Sequence, residues 1–466
     1  MSNLGAGVSN FKTEEFPTAI PSAKSRIEKS NTLRENLSRS VNNAYENTFF
    51  YKRLFRKTFR DAPPSPETIA SFFFRLPFTS KEDVIRNYPY GFLGIDLGDI
   101  ATYFESSGTS GNTIHSTKSA SFFSHDDLRR DAERRFSPDL IVGRDDVVLN
   151  ALPFALTSSG LGFQLASQRA GAMTITADSG SVLSSHTKHI DLLKDLGATI
   201  FVTSLPLLYS TLLLSEGRDP RTEFPKLRAI QLCGLPTLKN GRRKIAEAFG
   251  VPVFDTYGLS EFGATTFTSS DGHSHVYDDD FFVEIIDPRT GEPVNDGVGG
   301  EIVVTTLSRE ASPKIRYRTG DFGYLEKEAA SDGRTQPRLV VKGRLRDAAL
   351  FGERFRLPID FEEVIYEFPS VTGLYQLRYE ALAETTGDPQ TRATVTIDVL
   401  DPNLPELHSN IEARLREEVT PNVDVILVRT GSAQAGILDQ ERFANVRTVK
   451  SAVLDDKRPQ EWLVTY

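Results

Sequence analysis

"HIDLLKDLGATIFVT", residues 189–203, sets two periodicities side by side. Up to Gly197 the apolar residues recur as on one helix face, and from Thr199 the chain turns β-branched and aromatic, as a buried strand does. The same alternation runs from Asp145 to Tyr257. There "DVVLNAL", "AMTITA", "LRAIQLCG" and "VPVFDTYG" read as strands, with "PLLYSTLLLSEG" and "GRRKIAEAFG" as helices between them. Strands joined by single helices need crossover connections, so the class is α/β with βαβ units and a largely parallel sheet. Ligands of such sheets sit beyond the carboxyl ends of strands. "CG", "TYGLSE" and, after the strand-like "IATYF", the stretch "ESSGTSGNT" (Glu105–Thr113) are expected there.

Outward from this block the texture changes. From Phe281, "FFVEIID" and "GEIVVTTL" joined by Gly/Pro turns predict a smaller β subdomain. Beyond Lys342, "TVTIDVL", "LHSNIEARLREEVT" and "VDVILVR" give strand, helix, strand, a small α+β C-terminal domain. Upstream, residues 1–25 are Ser, Pro and Gly rich and are expected to be mobile. Ser25 to Phe55 reads as helical, with "FFYKRLF" as an aromatic anchor, and Thr79 or Ser80 is placed to cap a short helix containing Glu82 and Asp83.

Composition bounds the function. At 466 residues the chain exceeds one ordinary core, so a large domain with a smaller companion is expected. With 39% hydrophobic and 25% charged residues and no apolar run near the ~18 residues of a span, neither a membrane segment nor a secretory signal is expected. The single Cys233, inside the apolar "AIQLCG", reads as a buried inert thiol and leaves no Cys-rich zinc site or intrachain disulfide, so a cytoplasmic protein is expected. A net charge of -9, from 63 acids against 54 bases, argues against nucleic acid as partner. The Arg-rich "LRRDAERRF" (Leu128–Phe136) is interleaved with acids and reads as solvated helix faces. His273 and His275 in "DGHSHVYDDD" lack Cys partners and read as loop residues rather than a metal site.

In "ESSGTSGNT" the glycines let the backbone approach a ligand and the hydroxyls add donors, which makes either an anion nest or a slack linker. It is not the loop of P-loop NTPases, because Asn112 rather than Lys follows Gly111. Four further segments bear on it: "DTYGLSEFG" (Asp255–Gly263), "YRTGD" (Tyr317–Asp321), "KGRLRDAALFGERFRLPIDFEE" (Lys342–Glu363) and "RTVKSAVLDDKRP" (Arg447–Pro459). In this order the series resembles the motifs of the adenylate-forming, AMP-binding superfamily of acyl- and aryl-CoA ligases, adenylation domains and luciferases. "LPFTSKEDVIRNYPYG", "VEIIDPRTGEPV" and "VKSAVLDDKR" are similar to the phenylacetate-CoA ligase branch, so the likeness runs from about residue 45 to the end.

The resemblance implies a large N-terminal AMP-binding and substrate domain, residues 1–343, and a small mobile C-terminal lid domain, residues 344–466, with Asp347 at the hinge. It implies ATP-dependent activation of a carboxylic acid, aromatic or aryl-acetic by branch, to an acyl-adenylate with release of pyrophosphate, then transfer to coenzyme A. Such chemistry is positioning and electrostatics. On the residues that match, Ser106, Ser107, Gly108, Thr109, Ser110, Gly111 and Thr113 would grip the phosphates, and Glu261 would hold Mg²⁺ with Ser260 near the α-phosphate. Tyr257 and Gly258 would lie against the adenine, and Asp321 would accept both ribose hydroxyls beside Arg344. Phe154, Gly160, Gly234 and Tyr257 would flank the acid, and Lys450, with Lys457 as its rival, would be the mobile lysine that reaches the α-phosphate.

Two departures from the pattern bear on the second acceptor rather than on adenylation: Glu353 stands where the hinge loop carries a glycine, with Gly352 one step early, and Leu235 stands where the family carries an Ala-Glu after the strand's glycine. An amine, a carrier-protein thiol or another small nucleophile is therefore the alternative acceptor, and a non-catalytic nucleotide-binding protein of the same fold the alternative class. The partners expected are the small acid and the acceptor. A homodimer is compatible with the sequence.

Overall fold

The structure, a computed structural model, describes residues 23–56, 64–106, 119–179, 184–205, 207–208, 218–327, 333–351, 354–382, 390–429 and 453–456. Its centre is the five-stranded parallel sheet that the alternation predicts. In spatial order the strands are Met173–Thr176, Val147–Asn150, Ile200–Thr203, Ala229–Cys233 and Val253–Thr256. The inner strands are buried on both faces, which is why they read as continuous apolar runs. Helices Ser158–Arg169, His186–Asp195 and Lys239–Phe249 supply three of the crossovers, and most of the helix expected in "PLLYSTLLLSEG" lies outside the described residues. Cys233, last in its strand, is buried, and burial pushes its thiol up to about 11.

The β subdomain is a four-stranded antiparallel sheet, Phe281–Ile286, Gly300–Thr306, Tyr317–Leu325 and Leu339–Arg344. The N-terminal helices Ala23–Lys29, Asn31–Asn47 and Phe49–Phe55 share a core with it. Ser30 and Thr48 cap the second and third of these. Of the two cap candidates upstream of Glu82, Ser80 is the cap: it accepts from Asp83 N, and Asp83 returns the bond in a capping box. Thr79 is buried instead, its hydroxyl donating to Ile315 O at 2.6 Å.

The C-terminal unit begins where the last subdomain strand ends at Arg344. A 3₁₀ turn, Leu345–Asp347, leads into a short hairpin and then into helix Pro358–Ile365. A mixed sheet follows in the order Val423–Val428, Gln390–Val399, Val371–Leu382 and Val453–Asp456, with helix Leu407–Glu418 as the crossover between the parallel strands Gln390–Val399 and Val423–Val428. This unit does not stand free: its apolar residues join one continuous core with those of the parallel sheet. Polar contacts reinforce the seam. Helix Lys239–Phe249 has no side-chain cap of its own, and Glu363 caps it from across the seam, accepting from Asn240 N at 3.0 Å and Gly241 N at 3.4 Å. In return Arg243 and Lys244 donate to the carbonyls of Tyr366 and Phe368, just past the end of the Pro358–Ile365 helix.

The described helices include none long and apolar enough to cross a membrane.

Candidate active site

A cavity of about 980 Å³ opens beyond the carboxyl ends of the parallel strands. Its walls include Gly234 and Leu235 after one strand, Tyr257 and Gly258 after the next, Asp321 and Arg344 from the β subdomain, and Asp347, Glu362 and Glu363 from the C-terminal unit. The loops after two strands thus meet two other sheets at one place. Gly234 adopts φ +106° with open space where a side chain would be, so its backbone faces the cavity without cover.

Asp321 sits at the centre of a polar cluster. Strand pairing places it directly across from Arg344, whose Nε lies 3.1 Å from Asp321 Oδ1. Tyr257 donates its hydroxyl to Oδ2 at 2.8 Å, and Thr319 Oγ1 accepts from the Asp321 amide at 3.0 Å. Burial pushes the Asp321 carboxyl up, and Arg344 and the Tyr257 hydroxyl pull against that rise. The attraction of Asp321 raises Arg344 in turn. Tyr257 therefore serves this cluster through its hydroxyl as well as offering its ring to the cavity.

Glu261 lies in the turn of a tight hairpin, Gly258–Leu259 against Gly263–Ala264. Gly258 is needed there, since a Cβ would meet Gly263 O at 2.2 Å. Glu261 is 3% exposed. Its Oε1 accepts from Tyr317 Oη at 3.3 Å and Ser119 Oγ at 3.5 Å, while Oε2 is buried without a hydrogen-bond partner among the described residues. A buried carboxylate oxygen left unpaired is costly, and a hard cation satisfies it. The donor set thus fits Mg²⁺. Ser260, next to it, is half-buried in the same turn.

Lys81 was not singled out by its motif, where only the helix cap next to it drew notice. It is half-buried and makes no hydrogen bond or ion pair with a described residue. Burial lowers its amine, the charge of Glu261 opposes this, and Arg344 and Arg346 add to the lowering. The sequence signal for it is its place at the first position of a helix that Ser80 caps.

The remaining expected residues divide. Phe154 and Gly160 contact one another rather than the cavity: a Cβ on Gly160 would lie 2.9 Å from Phe154 Cδ2 and 2.6 Å from Pro153 O, so this glycine lets the first turn of its helix pack. Ser106 closes the strand that opens the Ser/Gly loop, and the neighbouring Glu105 amide donates to Leu156 O at 2.7 Å. Ser107, Gly108, Thr109, Ser110, Gly111 and Thr113 lie outside the described residues, as do Lys450, Lys457 and the Gly352–Glu353 departure. Asp347 ends the turn between the subdomain and the C-terminal unit, 3.7 Å from Arg346 Nε. His275 is buried on Ser269 and stacks on Phe267, and His273 pairs with Glu326 at 2.9 Å.

One expectation is corrected. In "LRRDAERRF" only part of the charge is solvated: Asp131 and Arg135 are buried, 1% and 2% exposed, because they pair with each other at 2.7 Å and with backbone groups from distant segments.

Comparison with known proteins shows the family and the fold. The AMP-binding enzyme family matches residues 94–308. A phenylacetate-coenzyme A ligase of Thermus thermophilus is 31% identical over 359 residues, 74% of this chain and 76% of that protein. One of Aromatoleum evansii is 27% identical over 92% of this chain and 94% of its own length. Among solved structures, 2-hydroxyisobutyryl-CoA ligase in its postadenylation state shares the fold at TM-score 0.74, with 18% identity, covering 93% of this chain and 98% of that one. The same ligase in its thioesterification state aligns at TM-score 0.62, with 19% identity over 96% and 95%.

Proposed function

Since the chain belongs to the AMP-binding enzyme family, in its phenylacetate-CoA ligase-like branch, we propose that it uses ATP to activate a carboxylic acid as its acyl-adenylate and then forms the coenzyme A thioester. The observation that carries this is a pair of unlike carboxylates: Asp321 lines the cavity, and the charge of Glu261, in the hairpin that begins at the cavity residue Gly258, reaches it. Asp321 is anchored by Arg344 and Tyr257, and Glu261 keeps one buried oxygen without a partner among the described residues. The first suits a pair of ribose hydroxyls, since a carboxylate offers about four lone-pair sites and two are taken. The second suits Mg²⁺, which would neutralise phosphate charge when bound. The branch points to an aromatic or aryl-acetic acid.

The chain's own residues then have these tasks. Asp321 fixes the ribose and so orients the α-phosphate. Tyr257 presents its ring to the adenine and holds Asp321 through its hydroxyl. Lys81 offers an ammonium to the phosphates or to the acid's carboxylate. The Ser/Gly loop encloses the phosphates, and Lys450 neutralises charge growing at the α-phosphorus as the acid's oxygen attacks and pyrophosphate leaves. Residues 344–466 act as a lid that turns about Asp347, removing Lys450 and admitting the thiol. The single buried Cys233 accords with work in the cytoplasm.

Pyrophosphate exchange with a panel of aromatic, aryl-acetic and aliphatic acids tests the first step, and thioester formation after adding coenzyme A tests the second. Exchange without thioester would hand the adenylate to an amine or carrier thiol. Absence of exchange with every acid would leave a nucleotide-binding protein of the same fold.

A further inference from the structure

The buried charges of the Leu128–Phe136 run reach the motif segments around the cavity. Asp131 Oδ2 accepts from Arg135 Nε at 2.9 Å and Nη2 at 2.7 Å, while its Oδ1 accepts from the amide of Ala264 at 2.8 Å. Arg309 is also buried, 4% exposed. It donates from Nη2 to Phe262 O at 2.8 Å and from Nη1 to Asp127 O at 2.7 Å, and its guanidinium lies 4.4 Å over the Phe123 ring. Its Nη2 also stands 4.0 Å from Asp131 Oδ1. The turn carrying Glu261 is therefore gripped one residue on, at the Phe262 carbonyl, and again at the Ala264 amide. Gly263, between them at φ +85°, touches the carboxylate so closely that a Cβ would fall 2.1 Å from Asp131 Oδ1.

Arg135 extends the grip. Its Nη2 donates to Ser158 O at 3.1 Å, at the start of the helix Ser158–Arg169, and its carbonyl accepts from Thr256 Oγ1 at 3.1 Å, next to Tyr257. Burying such charges carries a desolvation penalty that apolar residues of similar volume avoid, so an ion-pair network of this kind is weak evidence for a stabilising role. What it provides that packing does not is direction, because each bond specifies one atom.

We propose that Asp131, Arg135 and Arg309 are positioning residues for the adenylation step, holding the Glu261 turn in the orientation that receives the metal-bound phosphates. They contact neither substrate nor metal and act through residues 262–264. The proposal rests on the reading of Glu261 given above.

The test compares wild type, Arg309→Lys and Asp131→Asn. Lysine keeps the charge of Arg309 but cannot fork to both carbonyls. Calorimetry gives the affinity for AMP without metal and for ATP with and without Mg²⁺, pyrophosphate exchange gives the adenylation rate, and thermal melts report folding. The expected result is an exchange rate lower by about 10- to 100-fold, the scale of a small misplacement in a preorganised site. The gain in ATP affinity on adding Mg²⁺ should shrink by at least about threefold, with AMP affinity within about twofold of wild type, because Asp321 stands on other strands. Folded variants with wild-type exchange and an undiminished Mg²⁺ gain overturn the proposal. So does a parallel fall of AMP affinity, Mg²⁺ gain and melting temperature, which is general destabilisation. If Asp131→Asn does not fold, Arg309→Lys decides. If wild type binds ATP equally well without Mg²⁺, the metal role of Glu261 fails separately. In that case slowed exchange at unchanged AMP affinity still supports the brace, and unchanged exchange still removes it.

Discussion

Replacing Asp321 by Asn tests the nucleotide site at its centre. The carboxylate already accepts from Tyr257 at 2.8 Å and faces Arg344 Nε at 3.1 Å, so asparagine keeps one acceptor oxygen and turns the other position into a donor. One ribose hydroxyl loses its charge-assisted acceptor, a loss of about 1.5–3 kcal/mol, or roughly 10- to 100-fold in the KM for ATP. The fold should survive, because the Arg344 side chain is 41% exposed and water can take the place of the lost charge. Initial rates of pyrophosphate exchange against ATP, repeated with 2′,3′-dideoxy-ATP, isolate the contact. Wild type should favour the ribonucleotide, and the variant should lose most of that preference. A variant with the ATP dependence of wild type, or with the same preference between the nucleotides, would refute the clamp.

Three further outcomes are expected. Lys450→Ala should slow adenylation by about 10²–10³, the scale of one lost preorganised donor, yet convert a synthetic acyl-AMP to thioester at nearly the normal rate; equal loss in both steps would count against a swinging lid. Glu363→Ala removes the cap that joins the C-terminal unit to helix Lys239–Phe249, and at about 1–2 kcal/mol for a lost cap the Asn240 and Gly241 amides should exchange hydrogen roughly 5- to 30-fold faster, whereas unchanged protection would mean that the core alone holds the seam. Burial pushes the Glu362 carboxyl up to about 7 against the opposing Tyr375 hydroxyl at 2.7 Å, so the folded state keeps a proton that the unfolded chain releases from about pH 4.5, and stability falls as pH rises through that window. Glu362→Gln should therefore gain on wild type in urea melts between pH 4.5 and 7, by up to about 3 kcal/mol, and parallel pH curves would contradict it.

The parallel sheet was legible in the sequence because the periods that encode it are local: "TIFVT" and "AIQLC" state burial on both faces within a few residues, and helix spacing between them dictates crossovers. The strand pattern placed Gly234 and Tyr257 beyond strand ends, and the motif resemblance added Asp321 and Arg344, which lie on subdomain strands that no periodic run announced; all four line one cavity. Phe154 and Gly160 came from a segment whose contacts depend on how the first turn of a helix packs against its own lead-in, which no period records. The fate of a charge is the plainest case. Asp131 looks like its solvated neighbours along "LRRDAERRF", and what buries it is the amide of Ala264, 133 positions away. Glu363 caps a helix at Asn240, 123 positions before it. A polar group goes inside only where partners for its hydrogen bonds wait, and those partners are brought to it by the tertiary fold, so the sequence alone determined the sheet and the motif residues, while the structure decided which charges stand behind them.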